Sequence, residues 1–195
     1  MGKIDDSAVD TTHVKVILIH GNDTLHWAYA WMPWVKQELE KAGLIVFAEM
    51  FPDSIIAREK YWIPFLKEHL KADKHTILIG HSSGAVAAMR FAEHHQLFGS
   101  VLISPSYTDL GIELEKQSGY FDRPWQWDAI KKNQQWIVQF GSTDDPVIPL
   151  SEFRHIHTML NTEYYEFDDR NHFLDKQKTF PEVVDVVRKK SRTNL

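Results

Sequence analysis

The sequence predicts an α/β protein with a sheet of roughly six parallel strands and helices on both faces. Strand-like and helix-like patterns alternate along the whole chain, which favours a parallel sheet. The strand-like runs are short, apolar and rich in branched residues, as expected of strands buried on both faces. One of these runs passes through Gly-x-Ser-x-Gly into an alanine-rich helical pattern, an arrangement typical of α/β proteins.

The first half of the chain is predicted to supply three strands and three helices. The strands are 14–19, 44–48 and 76–79, and the helices are 25–39, 56–70 and 85–92. Apolar residues recur at helical spacing in the first two helices, and Gly43 ends the first of them. Pro64 predicts a kink or a late start in the second helix, since proline lacks an amide hydrogen.

The second half continues the alternation after a longer connection. Its predicted strands are 100–104, 136–140 and 164–167, and its predicted helices are 125–132, 151–160 and 181–190. The connection 105–135 is the longest, and Gly111, Gly119 and Pro124 interrupt it. Because the chain has no internal repeat, linker or low-complexity tract, residues 1–195 are expected to form one domain.

Composition restricts the partners that the chain is expected to have. The net charge is −5 over 195 residues and leaves no basic footprint, so nucleic acid is not an expected partner. No apolar run approaches the roughly 18 residues that cross a bilayer, so no membrane association is expected. The absence of cysteine excludes disulfides, thiolate metal sites and cysteine nucleophiles, and it fits a cytoplasmic location.

The chemistry of the chain centres on the segment Gly80-His81-Ser82-Ser83-Gly84. A strand that turns directly into a helix through such a segment holds its serine on a strained bend with the hydroxyl exposed. The glycine spacing favours Ser82 over Ser83 as that serine. The amide of Ser83 is expected at the helix N-terminus, where free N–H groups stabilise a developing anion. His81 is expected to pack under the bend.

Two later loops carry the partners that such a serine needs. Asp144 and Asp145 follow the fifth predicted strand, and His172 follows the sixth. A serine hydroxyl needs an imidazole to accept its proton, and the imidazole needs a carboxylate to fix its tautomer. The order Ser, Asp, His along the chain is the one expected of a triad on this kind of sheet. Asp145 is preferred to Asp144, because Pro146 turns the chain directly after it.

Several segments resemble a known family. They are Gly80–Ala85, Ala87–Arg90, Asp109–Gly111, Ser118–Phe121, Arg123–Trp127, Val138–Pro146 and His172-Phe173. These segments resemble the retinoblastoma-binding protein 9 and YdeN-like serine hydrolases, and the resemblance covers nearly the whole chain. It implies a minimal, lidless α/β-hydrolase with Ser82 as nucleophile, Asp145 as orienting acid and His172 as base.

The resemblance also indicates where the substrate pocket is expected. Such folds donate a second oxyanion amide from the loop after the first strand, here His20-Gly21-Asn22-Asp23, with Asn22 preferred and Asp23 as the alternative. Aromatic residues near this loop and in the long connection are expected to form apolar pocket walls, or else to anchor that connection. They are Trp27, Tyr120, Phe121, Trp125 and Trp127.

The sequence therefore predicts a carboxylesterase-like serine hydrolase that acts by acyl transfer on a small ester, amide or thioester, without a metal or organic cofactor. The alternative is a non-catalytic interaction module on the same scaffold. A membrane lipase is disfavoured, because no lid or basic amphipathic helix is recognisable. A mammalian family member carries a Leu-x-Cys-x-Glu segment for the retinoblastoma protein. That partner is not expected here, because the corresponding segment is Leu70-Lys71-Ala72-Asp73-Lys74.

Overall fold

The computed structural model describes residues 14–174 and 177–192; the remainder of the predicted 1–195 domain lies outside the described residues. Within the described part, six strands form one sheet in the order β2-β1-β3-β4-β5-β6. The strands are β1 (Lys15–Ile19), β2 (Ile45–Ala48), β3 (Thr76–His81), β4 (Gly99–Ile103), β5 (Ile137–Ser142) and β6 (Glu163–Phe167). Every neighbouring pair is parallel, so the predicted parallel sheet is confirmed.

Helices cover both faces of this sheet, as predicted. Over the described residues they are α1 (Met32–Lys41), α2 (Glu59–Pro64), α3 (Ser83–His94), α4 (Glu113–Ser118), α5 (Trp127–Lys132), α6 (Leu150–Leu160) and α7 (Pro181–Arg192). Helices α1 and α7 bury apolar residues in one core, and α2, α3, α5 and α6 bury theirs in the core on the other face. No helix in the described part of the chain has the length and apolar character needed to span a membrane.

The helix boundaries differ from the prediction in two places. The helix predicted from residue 25 begins only at Met32, because proline at the next position favours a helix start and Ala30 lies at φ 47°. Residues 20–31 therefore form an irregular segment after β1, called the first loop below. The helix predicted over 56–70 begins at Glu59, and its α-helical part ends at Pro64, where a π-helical turn follows over Phe65–His69.

Helix α4 was not predicted. Of its residues only Ser118 is buried, so the sequence carries no apolar periodicity there. The helix ends where Gly119 adopts a left-handed conformation, φ 83°. Because all strands run in the same direction, the loops after β1, β3, β5 and β6 lie at one edge of the sheet, where ligands of such sheets bind.

Candidate active site

The bend between β3 and α3 has the strained geometry that its sequence predicts. Ser82 lies at φ 53° and ψ −121°, a conformation that a residue with a side chain adopts only at a cost. A Cβ on Gly80 would lie 2.3 Å from the carbonyl oxygen of Gly84, and one on Gly84 would lie 2.4 Å from that of Ile19. The two glycines therefore allow β1, β3 and α3 to approach closely enough to form the bend.

His172 and Asp145 form a hydrogen-bonded pair at the same edge of the sheet. The Nδ1–H of His172 donates to Oδ2 of Asp145 at 2.9 Å. Ser104 Oγ donates to the same oxygen at 2.9 Å, and the amides of Val147 and Ile148 donate to Oδ1, each at 2.9 Å. With Nδ1 carrying the hydrogen that bonds to Asp145, Nε2 is the ring nitrogen left to accept a proton.

The pKa of Asp145 shows why this carboxyl is ionised. Burial acts to raise its pKa, but the hydrogen bond and charge of His172 and the amides of Ile148 and Val147 together hold the pKa below its usual value. Asp144, the alternative acid, does not contact His172; its Oδ1 accepts hydrogen bonds from Ser142 Oγ and from the amide of Asn171 at 2.9 Å. Asp144 thus links the loops after β5 and β6.

A second hydrogen-bonded group, called the His81 cluster, consists of Gly21, Tyr29, His81 and His172. The Nε2 of His81 lies 2.8 Å from the carbonyl oxygen of His172, so Nε2 carries the hydrogen and donates it. Nδ1 then accepts from the hydroxyl of Tyr29 at 3.0 Å, and that hydroxyl oxygen accepts from the amide of Gly21 at 2.7 Å. Burial and the nearby His172 lower the pKa of His81 to about 3, so the ring is neutral.

A cavity of about 410 Å³ opens beside this cluster, and both Ser82 and His172 line it. Asn22 and Ser83, predicted to donate to an oxyanion, also line it, and the amide of Ser83 belongs to the first turn of α3, where it has no acceptor within the helix. Its aliphatic lining residues, together called the apolar wall below, are Leu110, Ile112, Leu114, Val147, Ile148 and Leu174. The structure thus brings the predicted serine, histidine and loop residues together around one cavity.

The aromatic residues expected either to form pocket walls or to anchor the long connection lie away from this cavity. None of the following lines this cavity: Trp27, Tyr120, Phe121, Trp125 and Trp127. Trp27 packs instead against the core under α1 and α7. The other four pack against the core on the opposite face, where the rings of Trp125 and Trp127 stack with their centroids 5.4 Å apart.

These four aromatic residues belong to a segment that wraps around a buried arginine. The guanidinium of Arg90 lies 3.6 Å from the ring centroid of Trp125 and donates to the carbonyl oxygens of Tyr120, Arg123 and Pro124. It also donates to Oε1 of Glu93 at 2.6 Å. We call Arg90, Glu93, Tyr120, Arg123 and Trp125 the Arg90 cluster. This cluster holds the connection between α4 and α5 in place. Its contacts account for the aromatic residues of that connection, and they do not involve the cavity.

Glu115 also lines the cavity, although the sequence patterns do not predict it as a site residue. Its Oε1 accepts a hydrogen bond from Asn22 Nδ2 at 2.8 Å and lies 3.5 Å from Ser83 Oγ. Burial raises the pKa of Glu115, against the opposing effect of these two contacts. No sequence pattern marks this residue, because it lies on the unpredicted helix α4. Across residues 14–174 and 177–192, no three His, Asp or Glu side chains group closely enough to hold a metal ion.

This fold is that of the α/β hydrolases, as solved structures show. The ydeN gene product from B. subtilis superimposes with a TM-score of 0.83 at 25% identity, covering 91% of this chain and 98% of that chain. The esterase Pf2001 from Pyrococcus furiosus superimposes with a TM-score of 0.64 at 20% identity, covering 91% and 80%.

Sequence comparison then identifies the family. The serine hydrolase family model matches residues 16–189, so the chain belongs to the serine hydrolase family. The serine hydrolase RBBP9 of Rattus norvegicus is 46% identical over 89% of this chain and 94% of its own length. The putative hydrolase YdeN of Bacillus subtilis (strain 168) is 28% identical with the same coverage, 89% and 94%. The resemblance seen in the sequence motifs is confirmed.

Proposed function

We propose that the protein hydrolyses a small carboxylic ester by acyl transfer, with Ser82, His172 and Asp145 as the catalytic triad. The observation that carries this proposal is the His172–Asp145 hydrogen bond of 2.9 Å at a cavity that the strained Ser82 also lines. An amide or a thioester is the alternative bond, since the same triad cleaves all three.

In the first half of the reaction, the hydroxyl oxygen of Ser82 attacks the substrate carbonyl while Nε2 of His172 takes its proton. Asp145 stabilises the imidazolium that results. The amides of Ser83 and Asn22 donate to the oxyanion, whose charge they stabilise best when fixed in place beforehand. His172 then returns the proton to the leaving alcohol as the carbon–oxygen bond breaks. Water releases the acyl group from Ser82 by the same steps in the second half.

The cavity walls support a neutral substrate with an apolar acyl group. The apolar wall described above lies at the same cavity as Ser82. Two lining residues, Asp23 and Glu115, are acids, and no lysine or arginine of the described chain is among the lining residues. An anionic acyl group would meet no opposite charge there.

The proposal includes no partner of the retinoblastoma type. Besides lacking the cysteine and glutamate, the segment at 70–74 has its Leu70 and Ala72 side chains buried, with 5% and 2% exposed. A reducing compartment such as the cytoplasm is the proposed location, because the chain has no cysteine.

The test is turnover of p-nitrophenyl esters of increasing acyl length, together with labelling by a fluorophosphonate probe. We expect Ser82→Ala to lower kcat by about 10⁴-fold or more and to abolish labelling. Ser151→Ala is the matched control, because Ser151 is exposed on α6. If the wild type neither turns over any ester nor reacts with the probe, the triad proposal is wrong. A non-catalytic interaction module then becomes the better explanation.

A further inference from the structure

Glu115 connects two parts of the cavity that are distant in the sequence. A single carboxylate oxygen, Oε1, accepts from Asn22 Nδ2 at 2.8 Å and lies 3.5 Å from Ser83 Oγ. Asn22 belongs to the first loop, Ser83 begins α3, and Glu115 lies on α4. These two contacts therefore join the residues whose amides we propose as oxyanion donors.

The first loop is irregular backbone around Asn22, and one residue earlier the amide of Gly21 donates to the hydroxyl of Tyr29 at 2.7 Å. It contains no helix or strand, and its neighbouring residue Asp23 lies at φ 50°, a conformation rarely adopted by residues with a side chain. The amide of Asp23 donates to the carbonyl oxygen of Ile55 at 3.2 Å, at the long end of the usual range. The bond from Asn22 to Glu115 restrains Asn22 itself, between these two neighbouring contacts.

Oxyanion donors act through their fixed positions. A donor that must move as negative charge develops loses part of its effect, because reorganisation then adds to the barrier. A displacement of about 1 Å can change a rate by about 100-fold. A restraint on the loop therefore affects the transition state more than substrate binding.

Taking the proposed serine hydrolase mechanism as given, we propose that Glu115 is a positioning residue that holds the Asn22 and Ser83 amides in place for the oxyanion. The side chain acts in this role as a hydrogen-bond acceptor, through Oε1. Its negative charge is not needed for this role, because a neutral carbonyl oxygen at the same place accepts the same bonds.

Three variants separate this role from simple packing. Glu115→Gln keeps an acceptor oxygen at the same reach, Glu115→Ala removes it, and Asn22→Ala removes the donor while keeping the backbone amide. Glu113→Ala is the matched control: Glu113 is an exposed glutamate on the same helix, whose Oε1 accepts from Gln117 Nε2 at 2.9 Å. These four variants, the double variant Asn22→Ala/Glu115→Ala and the wild type are compared for kcat and KM on a p-nitrophenyl ester, with folding followed by circular dichroism.

We expect Glu115→Ala to lower kcat by about 10- to 100-fold with KM changed by no more than about threefold, since only the oxyanion contacts are disturbed. Glu115→Gln should restore kcat to within about threefold of the wild type. The double variant Asn22→Ala/Glu115→Ala should be no slower than the slower single variant, because both remove the same hydrogen bond.

The proposal is overturned if Glu115→Ala keeps kcat within twofold of the wild type, if Glu115→Gln loses as much as Glu115→Ala, or if the two single effects multiply. Should Glu115→Ala fail to fold, Asn22→Ala takes its place, and a kcat within twofold of the wild type there overturns the proposal. Ser82→Ala distinguishes failure of the positioning role from failure of the proposed triad. If Ser82→Ala abolishes turnover while Glu115→Ala leaves turnover unchanged, only the positioning role of Glu115 is wrong.

Discussion

The His81 cluster and the Arg90 cluster are each centred on a buried polar side chain and assembled from distant parts of the chain, yet only one adjoins the cavity. Tyr29 and His81 line the cavity together with Ser82. The guanidinium of Arg90, in contrast, has no exposed surface and uses its hydrogens on backbone carbonyls and on Glu93. Because every N–H of this guanidinium is bonded within the protein, it has none left to offer a substrate.

Segments that resemble the family occur in both clusters, so the resemblance alone does not tell which cluster adjoins the cavity. The segments around Ser82 and around Trp125 both match the family's motifs, although the second fixes a connection between helices. Substitutions should separate the two. Changes in the His81 cluster should affect rate and pH behaviour, whereas changes in the Arg90 cluster should affect the free energy of unfolding.

The largest effect is expected for Arg90→Met, which leaves the buried carboxylate of Glu93 without its main partner. Breaking a buried ion pair from one side lowers the free energy of unfolding by about 3–5 kcal/mol. Urea unfolding measures this loss, and kcat per folded molecule should stay within twofold of the wild type. Arg90→Met/Glu93→Gln should recover part of the stability. A large fall in kcat of folded Arg90→Met would break the distinction between the clusters.

A smaller effect is expected for the pH dependence of stability at His81. Its pKa is about 3 in the folded protein and 6.5 as the reference, so between these values the unfolded chain binds more protons. Stability from this group is therefore complete above pH 6.5 and declines as the pH falls. From pH 6.5 to 5 the decline is about 1.5 kcal/mol. His81→Gln should show a weaker decline in urea unfolding at these two pH values.

The free energy of unfolding of His81→Gln should still depend on pH, because a second histidine is also buried. Burial also lowers the pKa of His20, whose stability contribution has the same sign. His75→Gln serves as the control, because His75 is exposed and should leave the decline unchanged. Equal declines in the wild type and His81→Gln would show that the His81 ring does not remain neutral in the folded protein.

The smallest effect is expected for Trp127→Leu, which tests the aromatic residues directly. Because Trp127 does not line the cavity, the ratio of kcat/KM for a hexanoate ester to that for an acetate ester should stay within twofold of the wild type. Leu114→Ala, on the apolar wall, should change the same ratio by about 10-fold or more, the usual effect of pocket contacts with methylene groups. If Trp127→Leu changes this ratio as much as Leu114→Ala does, the aromatic segment contacts the substrate.

The sequence was sufficient for the sheet and for the bend at Ser82, because both depend on local patterns. Continuous apolar runs identify buried strands, and the glycines at 80 and 84 are required by backbone contacts of 2.3 and 2.4 Å. The preference for Asp145 over Asp144 agrees with the contacts of each, although the catalytic role of Asp145 stays a prediction. Such features can be read from neighbouring residues alone.

What the sequence could not supply depends on contacts between distant segments. Helix α4 buries only Ser118, so neither its existence nor the position of Glu115 beside Asn22 leaves a periodic signal. The aromatic residues near Trp125 are explained by Arg90, about 35 positions away, and a motif carries no sign of that contact. The first helix is predicted to begin too early, because the tryptophans of the first loop lie four positions apart, a spacing also found in helices.

The backbone at Ser82 has a consequence for evolution and for use of the protein in the laboratory. A serine at φ 53° and ψ −121° costs of the order of 1–3 kcal/mol, whereas glycine adopts this conformation freely. Selection for thermal resistance alone would therefore favour glycine at this position, at the expense of turnover. The Ser82→Gly variant would then keep the cavity in a more stable protein that lacks the nucleophile. Such a variant is suited to binding natural ligands from cell extracts without hydrolysing them.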